Sequence, residues 1–347
     1  MTQSLSHSIK PSRTAQAGLT LVELMVAMVI GLVVVLAAST ALVVSRNGFN
    51  NIDAAAQLRD SARFAEDVIQ RLGVQTGFED LINVATPAQS NVKALTGAAT
   101  NVPNVFVYGF NNRARSDTQG WSEANAGARA AGSVGFGSDI LVLRFQTNPS
   151  SIDPSKSDGA VIDCSGSAPG LAPMDRYDRV TSVLHVRVNA SDNEPTLMCT
   201  RWSDSGAVNT QPLIRGVENF QVLYGVDGIP AGNSTLPSAA TADSVPDRYL
   251  RADQLTVSDA AVTAANWQRV RSIRIGMVIR AGANTAVDRT AQTFYPLGIS
   301  ASNGGSPGSM FADASNDPGT VFTPAADGRL RQVVTFTVHL RNTQGDT

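Results

Sequence analysis

Residues 15–44 read AQAGLTLVELMVAMVIGLVVVLAASTALVV and form an almost uncharged apolar stretch in a chain of 347 residues. The 21 residues from 24 to 44 carry no charge. At 1.5 Å per residue, a helix of that length crosses a hydrocarbon core of about 30 Å. The preceding segment contains Lys10 and Arg13 but no acidic residue, which is typical of a cytoplasmic flank. The stretch therefore predicts one membrane-spanning helix behind a short basic leader.

A single glutamate, Glu23, interrupts this apolar run near its cytoplasmic end. A charged side chain costs about 2.5–3.5 kcal/mol at the bilayer centre and less near an interface, so it needs a partner.

Two ordinary interpretations of the apolar segment compete. A cleaved secretory signal has a shorter apolar core, about 7–15 residues, followed by a small-residue cleavage site. An uncleaved signal anchor explains the length and the basic flank but gives Glu23 no role.

The segment from Gly18 to Glu23, GLTLVE, resembles the N-terminus of type IV prepilins and of the pseudopilins of type II secretion systems. In those families a prepilin peptidase cleaves after the glycine and methylates the new amine. The resemblance implies that residues 1–18 are a cleaved leader and that the mature chain begins at an N-methylated Leu19. Glu23 then serves assembly, because its carboxylate meets the terminal amine of a neighbouring subunit. Major pilins usually begin with Phe, and often carry a proline that this apolar run lacks.

Beyond the membrane span, the sequence keeps a helical pattern to about residue 72. Apolar residues recur at spacings of three and four, and charged residues occupy much of the other face. We therefore expect one helix over 19–73, with a membrane-spanning first half and an amphipathic second half that packs on a globular head. Gly73 is the expected end, with Gly77 as the alternative.

Residues 74–347 are expected to form a periplasmic head of the α+β class, with a mainly antiparallel sheet and long loops. The strand candidates are 105–110, 139–146, 180–188, 196–202, 213–225, 270–280 and 332–341. Residues 181–202 predict a hairpin whose turn is NASDNEP. The segments 111–138, 147–175, 228–264 and 281–320 show little periodicity and are predicted to be loops.

The chain has two cysteines, Cys164 and Cys199. The exported side of an inner membrane permits a disulfide, and two cysteines suffice for one. Such a bond would join the second arm of the predicted hairpin to the loop before it. Two buried free thiols are the alternative.

Enzyme and nucleic-acid functions find little support in the sequence. The formal net charge is −2 and no basic tract occurs, which argues against nucleic acid. His185 and His339 lie in strand candidates and form no metal-spaced pair. Asp153, Asp158 and Asp163 recur every five residues in a loop, but they do not follow a calcium-binding pattern. No catalytic residue, cofactor or metal is predicted.

Four segments, in order, resemble the PilW family of minor pilins. They are ARFA at 62–65, GVENFQVLYGVD at 216–227, VRSIRI at 270–275 and RQVVTFTVHLRN at 331–342. The resemblance implies a scarce subunit that primes type IV pilus assembly at the inner membrane and takes a place at the filament tip. Its implied partners are the prepilin peptidase and, through the N-terminal helix, other minor pilins and the major pilin. Whether the pilus serves twitching motility, DNA uptake or cell adhesion is left open.

Two other functions remain open from the sequence. A pseudopilin of a type II secretion system would share the same N-terminal chemistry, and its co-purifying subunits would identify the machine. A membrane-anchored exported binding domain or adhesin would instead keep residues 1–18 and tolerate replacement of Glu23.

Overall fold

A computed structural model of the protein describes residues 18–80, 105–115, 126–238, 240, 242–286, 288–299 and 317–342. The predicted leader lies outside the described residues, apart from Gly18. The chain divides into two compact units, Met1–Asn50 and Asn51–Thr347. The first long element is helix α1, which extends from Leu21 to Gln75 over 55 residues.

In the first unit, every residue of α1 from 21 to 50 is exposed. Two hydroxyl groups in this stretch are bonded within the helix: Ser39 donates to the carbonyl of Val35 at 2.7 Å, and Thr40 donates to that of Ala37 at 2.9 Å. Such bonds leave fewer polar groups without partners in lipid. By length and composition this helix can cross a membrane, as the sequence predicts.

In the second unit, the remainder of α1 buries one face, as the apolar periodicity predicts. Ala54 is buried on this face, as are Leu58, Ala62, Ala65, Ile69 and Leu72, and the last five belong to the main hydrophobic core. Their spacing of four and three residues places them on one stripe of a helix.

The helix ends at Gln75, two residues beyond the expected Gly73. Gly77 has φ of +82°, a left-handed conformation that glycine adopts without steric cost, and the chain turns there. Gly73 has a packing role instead. A Cβ atom at this position would lie 2.5 Å from Cγ1 of Val338.

The head is built mainly from strands. In chain order these are β1 (Val107–Phe110), β2 (Arg113–Arg115), β3 (Ala126–Ala128), β4 (Ile140–Phe145), β5 (Val180–Val188), β6 (Pro195–Trp202), β7 (Val208–Arg215), β8 (Val217–Val226), β9 (Arg248–Leu250), β10 (Val270–Arg280) and β11 (Arg331–His339). Two short helices, α2 (Ala252–Leu255) and α3 (Ala260–Gln268), lie between β9 and β10.

The strands form a five-stranded sheet in the order β1-β4-β5-β6-β7 and a four-stranded sheet in the order β11-β10-β8-β9. A small ribbon pairs β2 with β3, and all these pairings are antiparallel. The predicted hairpin is confirmed, because β5 pairs with β6 from Ser182 opposite Arg201 to Val188 opposite Pro195. Side chains of α1 and of both larger sheets share one hydrophobic core. The structure thus confirms the α+β class and the antiparallel head.

The predicted single strand over 213–225 is wrong, because the segment belongs to two sheets. Strand β7 ends at Arg215 in the five-stranded sheet, and β8 begins at Val217 in the four-stranded sheet. Gly216 between them has φ of +85°. A Cβ atom there would overlap the carbonyl oxygen of Arg280, whose N–H donates to the Gly216 carbonyl at 2.8 Å. This close backbone contact lets the chain change sheets within one residue.

The prediction of a loop over 228–264 is also wrong, because this segment contains β9, α2 and the beginning of α3. Asp259 caps α3, since its carboxylate accepts hydrogen bonds from the amides of Ala261 and Val262 at 2.8 and 3.1 Å. The α3 side chain of Trp267 packs against the rings of Tyr108 and Tyr224, each with a ring-centroid distance of 4.7 Å. This contact fixes the segment to the core.

Candidate functional site

The N-terminus of α1 is closed by Thr20 and Glu23. The Glu23 amide donates to Oγ1 of Thr20 at 3.3 Å, and the Thr20 amide donates to Oε2 of Glu23 at 3.4 Å. The Thr20 hydroxyl also donates to the same carboxylate oxygen at 3.4 Å. This reciprocal pair is a capping box, which satisfies two amides at the start of the helix.

The capping box gives Glu23 a partner within its own chain, which sequence reasoning missed. The signal was present as Thr20 followed three residues later by Glu23, the spacing that marks a helix N-terminus. The carboxylate also lies in the first turn, where the helix dipole favours negative charge. An apolar environment therefore penalises Glu23 less than it would an unpartnered carboxylate.

The residues of the predicted cleavage site precede the helix. Gly18 and Leu19 lie outside any helix or strand, and Leu19 is 74% exposed. A Cβ atom at Gly18 would meet nothing within 4 Å. The peptide bond between the two residues thus lies in an open, irregular segment that ends where the capping box begins.

The two cysteines form a disulfide, as the sequence predicts. Cys164 and Cys199 are both buried, with a Cα–Cα distance of 5.7 Å. Cys199 lies on β6, and the Cys164 amide donates to Oγ of Ser182 on the neighbouring β5 at 3.0 Å. The bond and this hydrogen bond hold the long loop after β4 against the five-stranded sheet.

Carboxylates and guanidinium groups connect the β5–β6 turn to the four-stranded sheet. Glu194 in the turn contacts Arg280 at 2.7 Å and Arg329 at 3.2 Å. On β8, Glu218 contacts Arg280 at 2.9 Å and Arg331 at 2.6 Å. Burial alone would raise the pKa of Glu194, but the hydrogen bonds and charges of Arg280 and Arg329 outweigh it and lower that pKa. These ion pairs join the two larger sheets at one end.

Acidic side chains also gather around Asp317, the first described residue of the segment 317–342. The pKa of Asp317 is raised to about 7. Burial is the main cause, the charge of Arg251 opposes it, and the charge of Asp253 acts in the same direction as burial. The nearest Arg251–Asp317 contact is 3.7 Å. Burial, and then the charge of Asp317, also raise the pKa of Asp139. Hydrogen bonds from the amides of Asn112 and Val222, at 3.0 and 2.8 Å, act in the opposite direction.

The two histidines within the described residues, His185 and His339, show no catalytic arrangement. His185 is buried on β5, and its Nε2 is 2.9 Å from Oγ1 of Thr200. Burial, together with the charges of Arg115 and Arg129, lowers its pKa to about 3, so the ring is neutral at physiological pH. His339 is exposed at the end of β11.

The regularly spaced aspartates do not meet. Oδ1 of Asp153 accepts from the amide and hydroxyl of Ser155 at 3.1 and 2.6 Å, and Asp158 accepts from the amide of Ala160 at 3.0 Å. Asp163 contacts Arg201 at 3.3 Å. Within the described ranges, no group of three or more His, Cys, Asp or Glu residues is arranged to hold a metal ion.

Comparisons with known proteins bear on both ends of the chain. Residues 183–342 match the family described as Type IV Pilus-assembly protein W, and residues 13–39 match the Prokaryotic N-terminal methylation motif. The comparison with curated proteins found no match. Among solved structures, a type IV-like pilin from Thermus thermophilus is similar, with 12% identity and a TM-score of 0.25, over 59% of this chain and 80% of that chain.

Proposed function

We propose that this chain is a type IV minor pilin of the PilW family, that it helps to prime pilus assembly at the inner membrane and that it occupies the filament tip. Its matched families are structural proteins and not enzymes. The N-terminal methylation motif implies processing by a prepilin peptidase. We assign the cleavage to the bond between Gly18 and Leu19 and the methylation to the new Leu19 amine.

The observation that carries this proposal is the position of the Thr20–Glu23 capping box. It begins the helix at a fixed residue and leaves Gly18 and Leu19 exposed outside it. A peptidase acts on an irregular, accessible backbone, and such a backbone is present here. Cleavage at this bond removes the leader without removing either partner of the capping box.

In the assembled pilus, Glu23 has a second role. Its carboxylate accepts long local hydrogen bonds of 3.4 Å and retains acceptor capacity. The methylated amine that cleavage creates on a neighbouring subunit is a cation that fits this site. Around it, the exposed apolar surface of α1 packs against other pilin helices, and Gly31, whose added Cβ would meet nothing within 4 Å, permits close approach.

The head favours a terminal position in the filament. The mature chain would carry residues 74–347 as a head, far larger than that of a usual major pilin, so it suits a tip or initiation site better than a densely packed shaft. The disulfide supports a periplasmic location of this head, since disulfides persist in that compartment.

The test is complementation of a strain that lacks the protein. We expect the wild-type chain to restore surface pili, while Glu23→Ala stays membrane-bound and processed but restores fewer than one tenth as many. Glu23→Gln, which keeps the capping acceptor but not the charge, separates helix capping from subunit pairing and should also fail. Normal pilus numbers with both variants would contradict the proposal. A deletion strain that retains its pili but loses protein secretion would instead identify a type II secretion pseudopilin.

A further inference from the structure

A cavity of about 170 Å³ lies between the loop that follows β4 and the open end of the β5–β6 hairpin. Residues of the segment 147–179 form one wall. The other wall is formed by the beginning of β5, the end of β6 and the turn that follows β6. Cavities that hold drug-sized ligands have volumes of about 300–1,000 Å³. This cavity therefore has room for one small ring.

The two walls are joined before any ligand binds. The Gly170 amide in the loop donates to Oδ2 of Asp204, in the turn after β6, at 3.0 Å. The Cys164–Cys199 disulfide joins the same loop to β6. Ala168 and Asp204 line the cavity and are exposed, so the cavity opens to the surface. A site that is already fixed pays less conformational entropy when it holds a ligand.

Part of the wall is apolar and consists largely of rings. Trp202 lies on the hairpin side, and Pro169, Leu171 and Pro173 lie on the loop side. The guanidinium group of Arg115 lies 5.4 Å from the centroid of the Trp202 ring and helps to hold the indole in place. Such side chains bind the C–H groups of a ligand ring by van der Waals contact.

The polar part of the wall contains both kinds of hydrogen-bonding group. The guanidinium groups of Arg179 and Arg201 only donate, and the carboxylates of Asp178 and Asp204 only accept when ionised. The Thr181 hydroxyl does both. A ligand carbonyl suits only the donors, and a ligand ammonium group suits only the acceptors. A ligand hydroxyl donates and accepts, so it can bind to every one of these groups.

The charged groups of the wall nearly cancel, because they are three aspartates and two arginines. Both arginines also have partners within the chain: Arg179 contacts Glu79 at 2.9 Å, and Arg201 contacts Asp163 at 3.3 Å. An ion that entered this cavity would lose hydration and gain little net attraction. The wall therefore favours an uncharged ligand.

We propose that this cavity binds the pyranose ring of a neutral monosaccharide. Such a ring carries C–H groups for the wall at Trp202 and Leu171, and several hydroxyl groups for the arginines, aspartates and Thr181. It has no charge, and it is a single ring of the size that the cavity accommodates. This site does not depend on the proposed function, since the walls belong to the head alone.

The test measures binding of four neutral probes, the methyl glycosides of glucose, galactose, mannose and N-acetylglucosamine. Three analogues separate the chemistry. Methyl glucuronide adds a negative charge, methyl glucosaminide adds a positive charge, and cyclohexylmethanol keeps a ring with a single hydroxyl group. Binding is measured by saturation-transfer NMR with the full chain in phospholipid nanodiscs, which contain no sugar.

Three variants locate the binding site. Ala168→Phe fills the cavity from an exposed position, and Trp202→Ala removes part of the apolar wall. Tyr177→Ala is the matched control, because it removes an exposed aromatic ring of the same loop that does not line the cavity. Circular dichroism checks the fold of each variant, and if either cavity variant unfolds, the other decides.

We expect at least one neutral glycoside to bind with a Kd of about 1–10 mM, as is typical of a ligand with about a dozen non-hydrogen atoms. The affinity should fall about tenfold or more in Ala168→Phe and in Trp202→Ala, and it should stay unchanged in Tyr177→Ala.

The proposal would be overturned if no neutral glycoside bound at concentrations up to about 100 mM. Unchanged affinity in a folded cavity variant would also overturn it. The same holds if a charged analogue or cyclohexylmethanol bound as tightly as the best neutral glycoside, because the site would then recognise charge or apolar surface. Pilus numbers and N-terminal processing do not enter this test, so its failure is distinct from failure of the proposed function.

Discussion

Asp227 and Arg271 form a fully buried ion pair, with 3.3 Å between Oδ2 and Nε and side-chain exposures of 0% and 1%. Asp227 directly follows β8, and Arg271 is the second residue of β10. The same carboxylate accepts hydrogen bonds from the amides of Asp243 and Ser244 at 3.2 and 2.9 Å. The pair therefore connects the two central strands of the four-stranded sheet to the segment that follows β8.

Arg271→Met is expected to destabilise the head by about 3–5 kcal/mol, because it leaves the Asp227 carboxylate buried without its counter-charge. Chemical denaturation measures this loss. The control is Arg215→Met, which removes an exposed partner of Asp192 at 3.0 Å and should cost less than about 1 kcal/mol. Equal losses of stability in the two variants would contradict the claim that burial makes the Asp227–Arg271 pair more important than the exposed Asp192–Arg215 pair.

Gly73→Ala is expected to destabilise the head by about 1–3 kcal/mol, although alanine normally favours a helix over glycine. The reason is the 2.5 Å separation between the added Cβ and Cγ1 of Val338. Val338→Ala removes that methyl group, so the double variant should lose less stability than the sum of the single variants. Thermal unfolding of all three tests the contact, and simple additivity would rule it out.

Cys164→Ser is expected to cost about 3–4 kcal/mol, because the disulfide closes a separation of 35 residues in the unfolded chain. Chemical reduction of the wild-type protein should lower its stability by a similar amount, while the variant should not respond to reductant. A native mass spectrum with both thiols free would be incompatible with this account.

Asp317→Asn is expected to change how stability depends on pH. Since burial raises the folded-state pKa of Asp317 to about 7, the folded chain holds a proton that the unfolded chain has lost at lower pH. Stability from this group is therefore present below the unfolded pKa near 3.8 and is lost as pH rises toward 7. The variant should be more stable than wild type at pH 8, by more than about 1 kcal/mol, and similar at about pH 4. If the free energy of unfolding of wild type and of Asp317→Asn changed with pH in parallel over this range, the raised pKa of Asp317 would be refuted.

Much of the fold could be predicted because its patterns are local. The uncharged run and the apolar stripe predict both halves of α1, and the bounds of β5 and β10 agree with the predicted strands 180–188 and 270–280. The change of sheet at Gly216 could not be predicted, because apolar residues continue on both sides and only the contact with Arg280 requires glycine. Helix α3 was missed because its sequence, AAVTAANWQ, is rich in small residues and lacks a clear apolar stripe.

In the candidate site too, some features could be predicted from local sequence patterns and others depend on contacts between distant residues. Gly18, Leu19 and Glu23 are visible from their order in the sequence, and the disulfide is expected from two cysteines in a chain that is predicted to be exported. The local partner of Glu23 follows from the Thr20–Glu23 spacing, which is typical of a capping box, whereas the charge of Glu23 in an apolar run points only to a partner on another subunit. The buried pair of Asp227 and Arg271 joins residues 44 positions apart. Only the packing of β8 beside β10 brings them together.

The most direct test of the central claim is the N-terminal mass of the protein purified from membranes of a strain with an intact prepilin peptidase. We predict a mature chain that begins at Leu19 and carries one additional methyl group on its amine. An intact Met1, or cleavage beyond residue 38, would contradict the assignment of Gly18, Leu19 and Glu23 and would leave the head anchored or secreted by another route.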